Sequence, residues 1–331
     1  MCFLALGMGM TANPEIAAKV GAVVIGRNEG ERLVACLRSI PDGLRVVYVD
    51  SGSTDGSVEA ARKAGAEVVE LDMSRPFTAA RARNEGLAAL VAGGAPDFVQ
   101  FVDGDCELMP GWIDTAREYL MANPKVGVVC GRRRERFPEA SIWNRLCDAE
   151  WNTPVGEAKA CGGDAMMRVP AIRAVRGYNA GLIAGEEPDL CVRLRQKGWQ
   201  VWRLDAEMTL HDAAMTRAGQ WWKRSRRAGF AFAEGAAMHG APPERHWVAE
   251  TRRALFWGFG LPLAIILAML VTPWAGLLFL VYPAQALRLS RRHGGERGAF
   301  LLLGKFPEAA GALEYHLSRL TRRDVGLIEY K

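Results

Sequence analysis

Between residues 20 and 102 the chain alternates short apolar runs with stretches whose apolar positions recur every three or four residues. Val20–Ile25, Arg45–Val49, Glu67–Leu71 and Phe98–Val102 have the length and β-branched content of buried strands. Glu31–Ile40 places Leu33, Val34, Leu37 and Ile40 on one helical face, and Ser57–Ala64 and Ala79–Val91 read as further helices. Strands alternating with helices predict an α/β fold with a mostly parallel sheet covered on both faces. In such sheets ligands bind beyond the carboxyl ends of the strands. Asn28, Glu29, Asp50, Asp103 and Asp105 all fall at those ends.

Further along, Gln200–Leu204 predicts another strand, followed by Thr209-Leu210-His211-Asp212. From Leu255 to Leu287 no residue is charged. One straight helix of that length would span roughly 50 Å, against a hydrocarbon core of about 30 Å. Thr272-Pro273-Trp274 interrupts the run and leaves two arms, Leu255–Val271 and Trp274–Leu287, with Pro262 and Pro283 bending them. A helical hairpin in or across the bilayer is expected. Arg252 and Arg253 precede the run, and Arg288, Arg291 and Arg292 follow it, so both ends should stay on the cytoplasmic side. Behind it, Ala299–Arg323 sets Phe300, Leu303, Phe306, Ala310, Leu313, Leu317 and Leu320 at helical spacing, an amphipathic helix expected on the bilayer or on the soluble part.

Charge changes this picture little in sum and more in placement. The net charge of +5 is concentrated in Arg217, Lys223, Arg224, Arg226 and Arg227 and in the basic cluster after the apolar run. That placement suits phosphate groups or a membrane surface, and no nucleic-acid-binding module is present. Seven cysteines, none in a C-x-x-C pair, read as free thiols and not as a zinc framework. The apolar opening MCFLALGMGM lacks a charged flank and a cleavage site and is read as a ragged start.

Asp103-Gly104-Asp105 follows the fourth strand. Two carboxylates one glycine apart offer hard oxygens to Mg²⁺ or Mn²⁺, which suits a substrate that brings its own phosphates. Neither a dinucleotide fingerprint nor a P-loop follows any strand.

The order of these pieces resembles the inverting family 2 glycosyltransferases, which use the Rossmann-like GT-A fold. The resemblance rests on VVIGRNEGERLVACLRSI (23–40), VVYVDSGSTDGS (46–57), ARARNEGL (80–87), FVDGDCEL (101–108) and GEEPDLCVRLRQKGW (185–199), and spans about residues 20–215. It implies a nucleotide-sugar-binding half over 20–130 and an acceptor-binding half over 131–240. A tail over 1–19, a membrane hairpin region over 241–298, and an amphipathic helix and tail over 299–331 complete the chain. Asp50 would accept from the nucleobase and Glu29 would reach the ribose, with Asn28 beside them. Arg81, Arg83 and Asn84 match an Arg-Asn element near base and phosphate. Asp105 would ligate the metal directly, Asp103 would serve ribose or the metal through water, and His211 would complete the metal or diphosphate site. Gly185-Glu186-Glu187-Pro188-Asp189 resembles the family's acidic motif at the acceptor side, with the base on Glu187 or Glu186. Asp189 is expected to cap the helix or hold the loop. Gly162, Gly163 and Asp164 resemble an acceptor-binding loop, and Trp221 and Trp222, set among cations, would grip an acceptor or lipid headgroups.

The implied activity is a metal-dependent transfer of a sugar from a nucleoside diphosphate, with UDP expected, to a lipid-linked or glycan acceptor of the cell envelope or an exopolysaccharide. It would take place at the cytoplasmic face of the inner membrane. The alternatives are a sugar nucleotidyltransferase or hydrolase, and a non-catalytic nucleotide-sugar-binding scaffold.

Overall fold

The computed structural model describes residues 18–321; the apolar opening and the last ten residues lie outside them. The first half is built as its patterning requires. Strands Val20–Gly26 (β1), Arg45–Asp50 (β2), Glu67–Glu70 (β3) and Phe98–Asp103 (β4) pair in parallel in the order β3-β2-β1-β4, joined by helices Glu31–Ser39 (α1), Ser57–Lys63 (α2) and Ala79–Ala92 (α3). Ala22, Val23, Val24, Val47 and Val49 are fully buried, as a sheet covered on both faces demands.

Beyond β4 the sheet becomes mixed, which the one-dimensional pattern did not show. The chain continues through Cys106–Leu108 (β5), Trp112–Ala122 (α4), Val126–Glu135 (β6), Ile142–Trp151 (α5), Gly156–Glu157 (β7), Ala165–Arg168 (β8), Val169–Ala174 (α6), Glu186–Gln196 (α7) and Gln200–His211 (β9). β8 inserts antiparallel between β4 and β6, and β9 runs parallel to β6 while pairing antiparallel with β5 and β7. One sheet, in the order β3-β2-β1-β4-β8-β6-β9-β5, therefore crosses both halves, and β6 spans position 130.

β9 is the main difference from the strand expected over Gln200–Leu204. It runs on to His211 through the polar Asp205 and Glu207, because β6, ten residues long, offers a partner as far as Glu135, with register shifts at Cys130/Arg132 and Arg132/Arg133. The consequence is positional. His211 lies opposite Cys106 on one side and Glu135 on the other, at the same sheet rim as the end of β4.

The last third is helical: Ala218–His239 (α8), Val248–Leu255 (α9), a π-helical turn at Phe256–Gly260, Leu261–Met269 (α10), a 3₁₀ segment at Pro273–Leu280, Val281–His293 (α11), Gly295–Leu303 (α12) and Lys305–Thr321 (α13). The chain reverses at Thr272, in extended conformation, before Pro273, and the two arms lie side by side: Tyr282 of the return arm donates to the Trp257 carbonyl at 2.6 Å. Among the described residues one helical stretch, Val248–Met269, is long and apolar enough to cross a membrane by length and composition.

The amphipathic helix expected over Ala299–Arg323 is divided at Gly304. Its docking face is also not the leucine stripe. Ala309, Ala312 and Tyr315 are buried, with Tyr315 against Phe230 of α8, whereas Leu303, Leu317 and Leu320 stay exposed. Small residues let the backbones approach: a Cβ at Gly229 would stand 1.9 Å from the Glu308 carbonyl oxygen, and one at Gly311 equally close to that of Arg226.

Candidate active site

A cleft of about 590 Å³ opens over the carboxyl ends of β1 and β4, bounded by α3, α7, α8 and the far end of β9. Asp103 closes β4 and stands between two guanidinium groups. Arg83 donates to Oδ1 at 2.7 Å and Arg133 to Oδ2 at 3.1 Å. Burial alone would raise the Asp103 pKa, but the Arg83 and Arg133 charges outweigh it and hold the carboxyl well below its usual range. The other nitrogen of Arg83 reaches Glu186 at 2.9 Å, so one buried arginine ties the end of β4 to the start of α7.

Asp105 is placed differently. It is buried and its Oδ2 lies 3.2 Å from Nε2 of His211. Burial, reinforced by Arg133, pushes the imidazole down to about 4, so it is neutral at pH 7. Its Nδ1 is buried without a hydrogen-bond partner, 3.9 Å from Oε2 of Glu135, and Trp151 meets the ring edge-on. A carboxylate oxygen beside a neutral imidazole, with a second carboxylate behind the other ring nitrogen, is a donor set that fits Mn²⁺ or Mg²⁺. Asp103, with its charge already matched by two arginines, fits an outer role.

At the opposite wall Gly185, in left-handed conformation (φ 78°), turns the chain into α7 and presents Glu186 and Glu187 to the cleft. Glu187 is held from behind: its Oε1 accepts from the Cys161 amide and from the Cys191 thiol at 3.2 Å. No ion pair reaches Glu187 among the described residues, in contrast to Glu186 with Arg83. Asp189 bonds Arg193 at 2.7 Å and His239 at 2.7 Å, fastening α7 to α8; it holds the wall and does not cap the helix.

Residues 22–176 match the family described as Glycosyl transferase family 2. Residues 22–176 thus form a glycosyl transferase family 2 segment. A succinoglycan biosynthesis protein, ExoA, of Rhizobium meliloti is 28% identical over 272 residues, covering 75% of this chain and 80% of that one. A pre-mycofactocin glycosyltransferase of Mycobacterium tuberculosis is 29% identical over 221 residues, 63% of this chain and 45% of the relative, so this chain spans about half of it. A mannosyltransferase from Pyrobaculum calidifontis, solved with GDP-Man and Mn²⁺, superposes with a TM-score of 0.64 at 20% identity, over 93% of this chain and 89% of that one. That likeness shows a shared GT-A fold.

The cleft gathers eight of the residues picked out from the sequence: Glu29, Arg83, Asp103, Asp105, Gly163, Glu186, Glu187 and His211. Others are turned elsewhere. Asp50 spends its carboxylate on the Gly52 and Ser53 amides and the Tyr48 hydroxyl, and Asn28 accepts from the Thr54 amide. Arg81 ties down the carbonyls of Asp72, Arg75 and Pro76 instead of reaching the cleft, and Asn84 pairs with both backbone groups of Tyr178. Asp164 is fully buried, bonded to the Asp103 amide, Arg133 and Thr209, so it braces the rim. Gly162 shapes its loop at φ 81° and does not line the cleft. Trp221 stacks on Trp143 and meets Phe300 edge-on, while Trp222 faces outward; both lie off the cleft.

Phe232 and Trp247, which sequence reasoning missed, line the cleft in their place. Trp247 adopts φ 53°, stacks on His246 at 4.2 Å and meets Phe232 at 5.1 Å; a Cβ at Gly185 would stand 2.9 Å from its ring. A bulky residue in that backbone region marks a position the surroundings enforce. Arg133 was missed as well. It is one of four arginines within Arg132–Arg136, and only the pairing of β6 decides which of them faces the site.

Proposed function

We propose that the protein transfers a sugar from a nucleoside diphosphate to an acceptor hydroxyl at a membrane surface, with inversion at the anomeric carbon, in the synthesis of an exopolysaccharide or envelope glycan. The observation that carries this reading is the convergence of Asp103 and Asp105 from β4 and its turn, His211 from β9, Arg83 from α3 and the paired glutamates of α7 on one cleft. The exopolysaccharide assignment draws on the succinoglycan biosynthesis relative, and a lipid-linked or glycan acceptor on the apolar helix Val248–Met269.

Asp105 and His211 would hold Mn²⁺ or Mg²⁺, which when bound offsets the charge that develops on a departing diphosphate. The chain's own groups do the rest. Gly163 and Gly104 let the donor approach the backbone, and Arg83 fixes Asp103 and Glu186 at opposite walls. Glu187 takes the proton of the acceptor hydroxyl as its oxygen bonds to the anomeric carbon and the bond to the diphosphate breaks. Glu187 is assigned before Glu186 because backbone and thiol hold it while its charge stays unmatched by a cation; Glu186 is the positioning partner of Arg83. Phe232 and Trp247 offer apolar ring surface to the acceptor.

The test is a panel of nucleotide sugars, UDP-linked donors first, with Mn²⁺ or Mg²⁺ and a membrane extract as acceptor, following nucleoside diphosphate release. Release that depends on the extract, and falls on the order of a thousandfold in Glu187→Gln with donor affinity kept, is expected. Pyrophosphate as product, or free sugar regardless of acceptor, would replace this reading with a nucleotidyltransferase or a hydrolase. Full transfer by Glu187→Gln would move the base elsewhere.

A further inference from the structure

Behind the glutamate wall two buried thiols meet. Cys191 lies one helical turn after Glu187 on α7, so the spacing of four sets both side chains on one face. Cys161 arrives from the loop between β7 and β8, and its Sγ stands 3.6 Å from that of Cys191, which in turn stands 3.2 Å from Oε1 of Glu187. All three residues are buried, and their ligating atoms lie within 4.8 Å of one another.

Those separations lie within a few tenths of an ångström of the spacing of ligands around a tetrahedral ion. Two sulfurs held about 2.3 Å from a tetrahedral Zn²⁺ stand about 3.8 Å apart, and a sulfur and a carboxylate oxygen about 3.6 Å. We propose that Cys161, Cys191 and Glu187 form a binding site for a thiophilic divalent cation such as Zn²⁺, distinct from the Asp105–His211 pair, and that occupation of it withdraws Glu187 from the cleft chemistry.

The donor sets separate the two ions. Carboxylate and imidazole suit Mn²⁺ or Mg²⁺, whereas two sulfurs exclude Mg²⁺ and select a soft or borderline metal. Loading is an exchange that preserves charge: one divalent cation enters and the two thiols release one proton each to solvent. Three protein ligands would leave a fourth position for water, and Glu187, which borders the cleft, offers the ion a route of entry. Binding itself is independent of the activity proposed above; only the inhibitory consequence rests on that reading.

Co²⁺ serves as the spectroscopic probe. Added to the reduced full-length protein in detergent, it should produce a thiolate-to-cobalt charge-transfer band that saturates at one equivalent and is displaced by Zn²⁺. Cys161→Ser and Cys191→Ser should each abolish the band and weaken Zn²⁺ binding by about a hundredfold or more, since a hydroxyl replaces a soft ligand poorly. Zn²⁺ should inhibit transfer even under saturating Mn²⁺, and Cys191→Ser, compared with its own zinc-free rate, should escape that inhibition. No band in the unaltered protein overturns the proposal. So does a band that survives both substitutions, which would belong to Cys106 beside Asp105 and His211. Should no transfer be found with any donor, the functional reading fails while the cobalt spectrum still decides this site.

Discussion

Asp103 and Asp105 stand two residues apart, yet their surroundings give them different tasks. The first is clamped by Arg83 and Arg133 and the second faces a neutral imidazole. The clamp has little slack: a Cβ on Gly163 would come within 2.7 Å of Oδ2 of Asp103 and 2.8 Å of Arg83. Gly163→Ala should therefore displace that pair while sparing the core, raising KM for the donor on the order of tenfold, or about 1.4 kcal/mol. Nucleoside diphosphate release against donor concentration, with a thermal melt as control for folding, measures it. Glu234 on α8 is a residue of a different kind. Burial, with help from Asp189 and against Arg319, pushes it up to about 7, and its Oε2 is buried without a partner. The folded chain thus keeps a proton between about 4.5 and 7 that the unfolded chain releases, so this group lowers stability as pH rises through that window. Glu234→Gln should raise the melting temperature at pH 8 and lose that advantage toward pH 4.5.

Among the elements, the π-helical turn at Phe256–Gly260 explains a contact that is otherwise puzzling. Leu261 donates to the Phe256 carbonyl five residues back, so the next donor in that pattern would be residue 262, aimed at Trp257. Residue 262 is proline and has no N–H. Tyr282 from the return arm supplies the missing donor to that carbonyl. The prolines and the Thr272-Pro273 break were legible in the sequence because they act locally. The π turn was not, because it is completed by a hydroxyl far along the chain. The same distinction covers the rest of the site: Asp103, Asp105, Glu186 and Glu187 sit at element ends that periodicity locates, whereas Arg133, Phe232 and Trp247 are selected by strand register and helix crossing. Tyr282→Phe should leave the Trp257 carbonyl unsatisfied in an apolar layer and cost about 1–3 kcal/mol. Thermal unfolding in detergent should report that loss, with donor affinity unchanged because the contact lies away from the cleft.

For the molecule as a whole, the question is how an apolar hairpin and a polar cleft cooperate. α8 is the common member: Arg224, Arg227 and Ala228 line the cleft, and Phe230 on the same helix packs against Tyr315 of α13. A second cavity of about 270 Å³ shares Glu150, Arg224, Ala228 and Phe232 with the cleft and continues to Phe300 and Leu301 of α12. It gives a path from the catalytic rim toward the apolar layer. The layer itself is exposed at its tip, where Leu270 is 81%, Val271 88% and Trp274 78% exposed. Exposed apolar surface of this kind, flanked by Arg252, Arg253, Arg288, Arg291 and Arg292 at the base of the hairpin, is suited to a bilayer and costly in water. An acceptor held in the same bilayer would then approach the cleft along two dimensions instead of three. Leu270→Asp with Val271→Asp places two charges at the tip, each costing about 2.5–3.5 kcal/mol at the centre of a bilayer helix. The double variant should leave the membrane fraction for the soluble one. Its turnover with a water-soluble acceptor analogue should remain near that of the unaltered protein, while turnover with acceptor embedded in vesicles falls at least on the order of tenfold. Equal losses with both acceptors would mean that the hairpin supports the fold and does not deliver the enzyme to its substrate.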